Sequence, residues 1–175
     1  MRWMWIDRLV THEPGRRMVA IKNVSLAEEH LHDHFPAGAD GPAAPIMPMS
    51  LVIEGVAQTA GILLGAVNGF REKVVLAKIV SATLDADITP GQTLRYDAVL
   101  DRVDASGAAA TATVERLDHG AADPQWQQIG TVELLFSHVD HNRAGLEFPK
   151  ENFVFGDNLK TILASAGLDT LLAAR

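Results

Sequence analysis

The stretch from Leu51 to about Asn68 limits what this chain can fold into more than any other. Its leucines, isoleucines, valines and alanines fall on nearly every side at helical spacing. That predicts one long helix enclosed by other structure rather than lying on a surface. Pro48 supplies the fixed φ suited to a helix start, and Ser50 is the expected N-cap. Gly55, Gly61 and Gly65 each cost helix stability, roughly 1 kcal/mol relative to Ala, and predict close approach of another backbone along that face. The apolar run falls short of the ~20 residues that a membrane span needs. It also carries Glu54 and Gln58, four positions apart and therefore on one face. Enclosing two such groups is unfavourable unless each finds a partner or a water-accessible pocket.

Around this helix the pattern has period two. Strands are expected over Trp3 to Val10, Arg16 to Val24, Lys73 to Ile88, Thr93 to Val103, Ala108 to Leu117 and Trp126 to Val139, with turns at Glu13-Pro14-Gly15, Pro90-Gly91 and Ser106-Gly107. Ser25-Leu26-Ala27-Glu28 has the spacing of a capping box ahead of a short helical turn towards His30. Residues 37 to 45, with two glycines and two prolines, read as a loop without ladder pairing. An antiparallel sheet wrapped around one long central helix, an α+β fold, is the simplest way to bury that helix. Residues 1–139 are expected to form this domain. Residues 140–175 read as an extension, irregular through Phe148-Pro149 and Phe153 to Gly156, then helical from Asp157 through Leu159, Ile162, Leu163 and Ala166. Leu168, Leu171 and Leu172 are expected to continue that face.

At 175 residues the chain suits one domain with a sizeable core. Lys plus Arg is 15 against 22 Asp plus Glu, a net charge of −7, which disfavours nucleic acid and anionic membrane as partners and favours small molecules or proteins. There is no cysteine, so disulfides, thiolate metal sites and cysteine nucleophiles are excluded. Asp7 and Arg8 interrupt the apolar N-terminus, which therefore lacks the core of a signal peptide. The expectation is a cytoplasmic protein without a membrane span.

A histidine and a carboxylate are the groups that take a proton from carbon and give one to a leaving hydroxyl. His34, in the loop before the helix, is the candidate base; Glu54 is the candidate acid. Free backbone N–H groups at the helix start, near Met49, Ser50 and Leu51, can hold a thioester oxygen. Together these are the parts for dehydrating a 3-hydroxyacyl thioester, with no metal or cofactor required. The plainer alternatives are a structural Glu54 paired with an arginine and a His34 bonded to backbone. Gln58 reads as a hydrogen-bond partner that positions its neighbour, at the edge of a thioester pocket with Met49 and Ser50. His30, His32 and His34 would share a face on a strand and suit zinc, but Glu28-Glu29 and their surroundings favour a short helix or loop. Met47, Met49 and Phe70 read as core. Arg16, Arg17, Lys22, Arg71, Lys73 and Lys78 read as scattered solvated charges.

These residues resemble a known family. His34-Phe35-Pro36, Pro45-Ile46-Met47-Pro48 and Leu51-Val52-Ile53-Glu54-Gly55-Val56-Ala57-Gln58 are similar to the signature of FabZ-type 3-hydroxyacyl-acyl-carrier-protein dehydratases. Flanking matches are Ile6-Asp7-Arg8-Leu9, Glu13-Pro14-Gly15, Ala20-Ile21-Lys22-Asn23-Val24 and Ile88-Thr89-Pro90-Gly91-Gln92-Thr93-Leu94. The resemblance covers about residues 5 to 138. It implies a hotdog fold, a substrate carried on acyl carrier protein or CoA, and a homodimer or trimer of dimers in which His34 of one subunit works with Glu54 of the other. Two departures stand out. The loop between Pro36 and Pro45 is six residues longer than the family pattern, and Met49 stands where the family has glycine. Thioester hydrolysis on the same fold, or an acyl-binding homologue without catalysis, are the alternatives.

Overall fold

The structure, a computed structural model, describes residues 4–39, 41–138 and 157–170. Its elements are β1 (Arg8–Glu13), β2 (Arg17–Asn23), α1 (Glu29–His32), α2 (Met49–Val67), β3 (Val74–Leu84), β4 (Gln92–Asp104), β5 (Gly107–Asp118), β6 (Gln127–His138) and α3 (Asp157–Ser165). The six strands form one antiparallel sheet in the order β1-β2-β4-β5-β6-β3. Helix α2 packs against β2 to β6. This is the hotdog arrangement that the resemblance implies.

Burial of α2 organises the rest. From Gly55 to Gly65 every residue is buried, opposite Ala98, Ala108, Ala110, Ala112, Val114, Val132 and Leu134 of the sheet. The small alanines of β5 let the helix lie close, and each large aliphatic side chain removed from water contributes about 1.5–3 kcal/mol. By length and composition alone α2 would pass for a membrane span, but 67% of it is buried within the chain. It is the core helix.

Gly55 and Gly61 of α2 meet rings rather than backbone, contrary to expectation. A Cβ on Gly55 would lie 2.6 Å from the Tyr96 ring of β4, and one on Gly61 would lie 3.7 Å from the Phe136 ring of β6. Inward-facing aromatic side chains fill the gap between sheet and helix before any backbone can.

Several boundaries differ from the sequence reading, each because a backbone group has another use. The first strand starts at Arg8, not Trp3, because the Trp5 N–H is taken by Gln58 Oε1 at 2.8 Å. β3 ends at Leu84 rather than Ile88. The Ile88 carbonyl instead accepts the Met47 N–H at 2.8 Å, which moors the segment leading into α2. Pro48, not Ser50, is the N-cap of α2; its ψ of 132° makes it the last extended residue, and its carbonyl accepts the Leu51 and Val52 N–H groups. Ser25 and Glu28 form no capping box. The Ser25 hydroxyl accepts the Ala27 N–H, and the Glu28 carboxylate is drawn to Lys22. The loop after Pro36 is not free of pairing, since isolated bridges join Phe35 to Ala44 and Gly38 to Gly41.

In α3, Leu159, Ile162 and Leu163 are buried in the same core as Ile6 and Leu9, and the helix packs against β1. The irregular stretch expected over 140–156, and Leu171 and Leu172, lie outside the described residues.

Gly55→Ala offers a direct test of the packing. Helix propensity alone would favour alanine by about 1 kcal/mol, whereas overpacking against a fully buried ring costs about 1–3 kcal/mol. The Tyr96 side chain is fully buried. The variant is expected to unfold at lower urea concentration than the parent chain; an equal or higher midpoint would contradict the contact.

Candidate functional site

Glu54 lies on the exposed margin of α2, half-buried, one turn before Gln58, which is only 5% exposed. Gln58 is fixed from both ends. Its Oε1 accepts the Trp5 backbone N–H at 2.8 Å, and its Nε2 donates to Glu54 Oε1 at 2.9 Å. A backbone N–H can only donate, so it determines which end of the amide faces the carboxylate. Glu54 is thus held at one oxygen by an amide. The arginine partner of the plainer reading is absent among the described residues. Gln58 makes the hydrogen bond to its neighbour that their spacing allows.

His34 follows α1, whose Leu31 is buried and anchors the segment. The ring Nδ1 lies 2.8 Å from the Leu31 carbonyl oxygen. A carbonyl can only accept, so Nδ1 carries a proton in this contact, and in a neutral ring Nε2 is then the nitrogen with the lone pair. His34 does bond to backbone, as the plainer reading has it. Among the described residues no hydrogen bond or ion pair joins His34 to Glu54 within the chain.

Met49 and Ser50 open α2 and are exposed, Met49 at 52%. No side chain caps this end; the Leu51 N–H, expected to be free, is taken by the Pro48 carbonyl, which leaves the Met49 and Ser50 N–H groups without a helical partner. Met47 and Phe70 are core as expected, but Met49 is not: as the first helical residue its side chain stands outside the packed face.

A set of residues that sequence reasoning passed over lies beside α2. A cavity of about 520 Å³ is lined by Met4, Trp5, Lys22, Glu28, Glu29, His30 and Leu51. Lys22 is buried, not solvated: it reaches Glu28 at 2.5 Å, Asp7 at 3.3 Å and the Asn23 carbonyl at 2.9 Å. Lys73 is buried too. The signal for Lys22 was present, because period two places it on the inward face of β2 with Met18 and Ala20. Its ion pairs tie the segment carrying His34 to the sheet. The His30 ring stacks edge-on against Trp5, centroids 5.0 Å apart, and its Nε2 lies 3.5 Å from Glu28. With His30 and His32 in α1 rather than on a strand, the shared face imagined for zinc does not form. No group of three or more potential metal ligands occurs among the described residues.

A six-stranded antiparallel sheet wrapped around an apolar helix, with a tethered carboxylate on that helix, defines a hotdog-fold protein. Solved structures agree on the fold. The dehydratase heterocomplex ApeI:P from Xenorhabdus doucetiae matches with a TM-score of 0.57 at 14% identity, covering 77% of this chain and 82% of that one. Residues 2–119 match the FabA-like domain family. The 3-hydroxyacyl-[acyl-carrier-protein] dehydratase FabZ of Listeria monocytogenes is 33% identical over 139 residues, 79% of this chain and 87% of the relative. The FabZ of Geobacter metallireducens is 37% identical over 98 residues, 54% of this chain and 61% of the relative. The chain belongs to the FabA-like family, on its FabZ-type branch.

Burial holds the His30 imidazole below its ordinary value; Glu28 partly offsets this and Lys22 adds to it. The neutral ring is therefore favoured in the fold. As pH falls below about 6.5 the unfolded chain takes up its proton first, so this contribution is complete above that pH and is lost as pH falls through the lower folded value. His30→Asn is expected to flatten the decline of unfolding free energy between pH 7 and 5, measured by urea titration. A decline as steep as that of the parent would contradict it.

Proposed function

We propose that this chain dehydrates 3-hydroxyacyl thioesters to trans-2-enoyl thioesters, with the acyl group carried on acyl carrier protein. The observation that carries the reading is Glu54, a carboxylate held at one oxygen by Gln58 on an otherwise apolar core helix, in a chain of FabZ-type ancestry. His34 Nε2 removes the proton on the carbon next to the thioester carbonyl. The exposed N–H groups at the start of α2, at Met49 and Ser50, receive the negative charge that develops on the carbonyl oxygen. Glu54 Oε2 gives its proton to the departing hydroxyl. One C–H and one C–O bond break, the 2,3 double bond forms, and water leaves; the proton on His34 returns to Glu54 through solvent to reset the pair.

His34 meets its acid across a homodimer in this reading. Eight of the eleven residues of β3 are exposed, among them Leu76, Ile79 and Val80. Among the described residues this strand ends the sheet and pairs only with β6, on its inner side. An exposed, apolar edge of that length is a template for another strand, and a second copy of β3 supplies one. Phe35, 80% exposed beside His34, then gains cover from the partner subunit. We place the protein in the cytoplasm, in keeping with its lack of cysteine.

His34→Ala and Glu54→Gln are each expected to lower the hydration rate of crotonyl thioester by about 10²–10⁴-fold, with little change in thermal unfolding. Full activity in either variant would sink the assignment. Free thiol released without enoyl interconversion would point to thioester hydrolysis instead. Ile79→Lys on the exposed edge is expected to shift the sedimenting species from dimer to monomer and to lower activity with it. A parent chain that sediments as a monomer at working concentration would overturn the shared site.

A further inference from the structure

The ring of His34 is held by a relay that begins outside its own loop. Lys22 leaves β2 on the inward face and is buried. Its ammonium has three N–H donors, and each finds an acceptor: Glu28 Oε1 at 2.5 Å, the Asn23 carbonyl at 2.9 Å and Asp7 Oδ1 at 3.3 Å. Two of these acceptors are themselves fixed to the sheet. Asn23 ends the ladder of β2 opposite Thr93 of β4, and the Asp7 carboxylate accepts the Asn23 backbone N–H at 2.7 Å. The third, Glu28, opens the segment that leads to His34. Its carboxylate does not cap α1 but turns to Lys22, while its carbonyl accepts the Leu31 N–H at 2.9 Å. The Leu31 carbonyl in turn accepts His34 Nδ1 at 2.8 Å. Lys22, Glu28, Leu31 and His34 thus stand in one series of bonds. The helix between them spans four residues, too short to hold its shape unaided in water. Burial of Leu31 fixes its depth, but burial has no direction. A charged hydrogen bond does, and the one from Lys22 sets which way α1 points.

We propose that Lys22 is a positioning residue for His34: through Glu28 and the Leu31 carbonyl it sets the direction of the imidazole and the nitrogen that carries its proton. The effect on rate rests on the dehydratase reading given above; the effect on the ring does not. With the relay intact the Leu31 carbonyl stands before Nδ1, and the neutral ring keeps its lone pair on Nε2. With the relay cut, α1 is free to turn about the buried Leu31. The carbonyl then leaves Nδ1, and the proton can settle on either nitrogen.

The test compares Lys22→Met, Glu28→Ala and Glu28→Gln with the parent, all on the full chain. Lys22→Met keeps the stem and removes the donors, Glu28→Ala removes the acceptor, and Glu28→Gln keeps an acceptor of the same length. Nitrogen NMR of protein labelled at its histidine rings reads the tautomer, the His34 signal being assigned by its loss in His34→Ala. In the neutral ring the parent should carry its proton on Nδ1. Lys22→Met and Glu28→Ala should show both tautomers, and Glu28→Gln the parent's pattern. With crotonyl thioester as substrate, the first two should lose about 10–100-fold in kcat with KM little changed, and Glu28→Gln should keep most of the parent rate. If Lys22→Met does not fold, Glu28→Ala carries the test, because it leaves the ammonium its contacts with Asp7 and Asn23. The parent's tautomer in Glu28→Ala, or a loss confined to KM, would overturn the inference while leaving the dehydratase reading intact. The expected tautomer changes in a parent chain and variants that hydrate no thioester would overturn that reading and leave the relay standing.

Discussion

Everything in this fold follows from the need to enclose α2. A helix apolar on nearly every side has no stable exposed face, and a single sheet must curve around it to remove that surface from water. The alanines of β5 and the inward rings of Tyr96 and Phe136 set how closely the sheet approaches. Once enclosed, the helix makes any polar group on it costly. Gln58 is accordingly satisfied at both ends, and Glu54 sits half-buried at the margin of the helix. The demand that built the core also built the support of the acid.

The connections on either side of α2 serve the site as much as the chain's continuity. Ile88 holds Met47 through one backbone bond, so the exit from β3 helps fix where the helix begins. Lys22 binds Glu28 from beneath, so β2 helps fix the segment that presents His34. Removing Glu28 would leave the buried Lys22 ammonium with only the longer Asp7 contact and the Asn23 carbonyl, which is unfavourable for a charge out of water. The site is thus supported from the sheet rather than from the loop that carries it.

Much of this was legible in the sequence. The enclosed helix, the six strands and the pairing of Glu54 with Gln58 all follow from periodicity, because side-chain spacing is imposed directly by helix and strand geometry. The resemblance motifs carried His34 and the helix start. What could not be read were the uses of single backbone groups. Nothing local distinguishes a Trp5 N–H that joins a ladder from one that bonds a glutamine 53 positions away. Lys22 was misjudged for a different reason: lysine is so often exposed that composition outweighed its inward position on β2. The glycines of α2 announced a close approach without saying that the approaching groups were rings.

The order β1-β2-β4-β5-β6-β3 has a kinetic side. Strands β2 and β4 are neighbours although α1, α2 and β3 intervene between them, and α3 packs on β1 from the far end of the described chain. Such pairings must close long loops before any contact repays the lost entropy. A sheet of this connectivity belongs with the domains that fold over milliseconds to seconds, not microseconds. During that interval α2 remains an uncovered greasy rod. Rapid collapse of the sheet around it, or shelter by a chaperone, is what stands between the nascent molecule and aggregation.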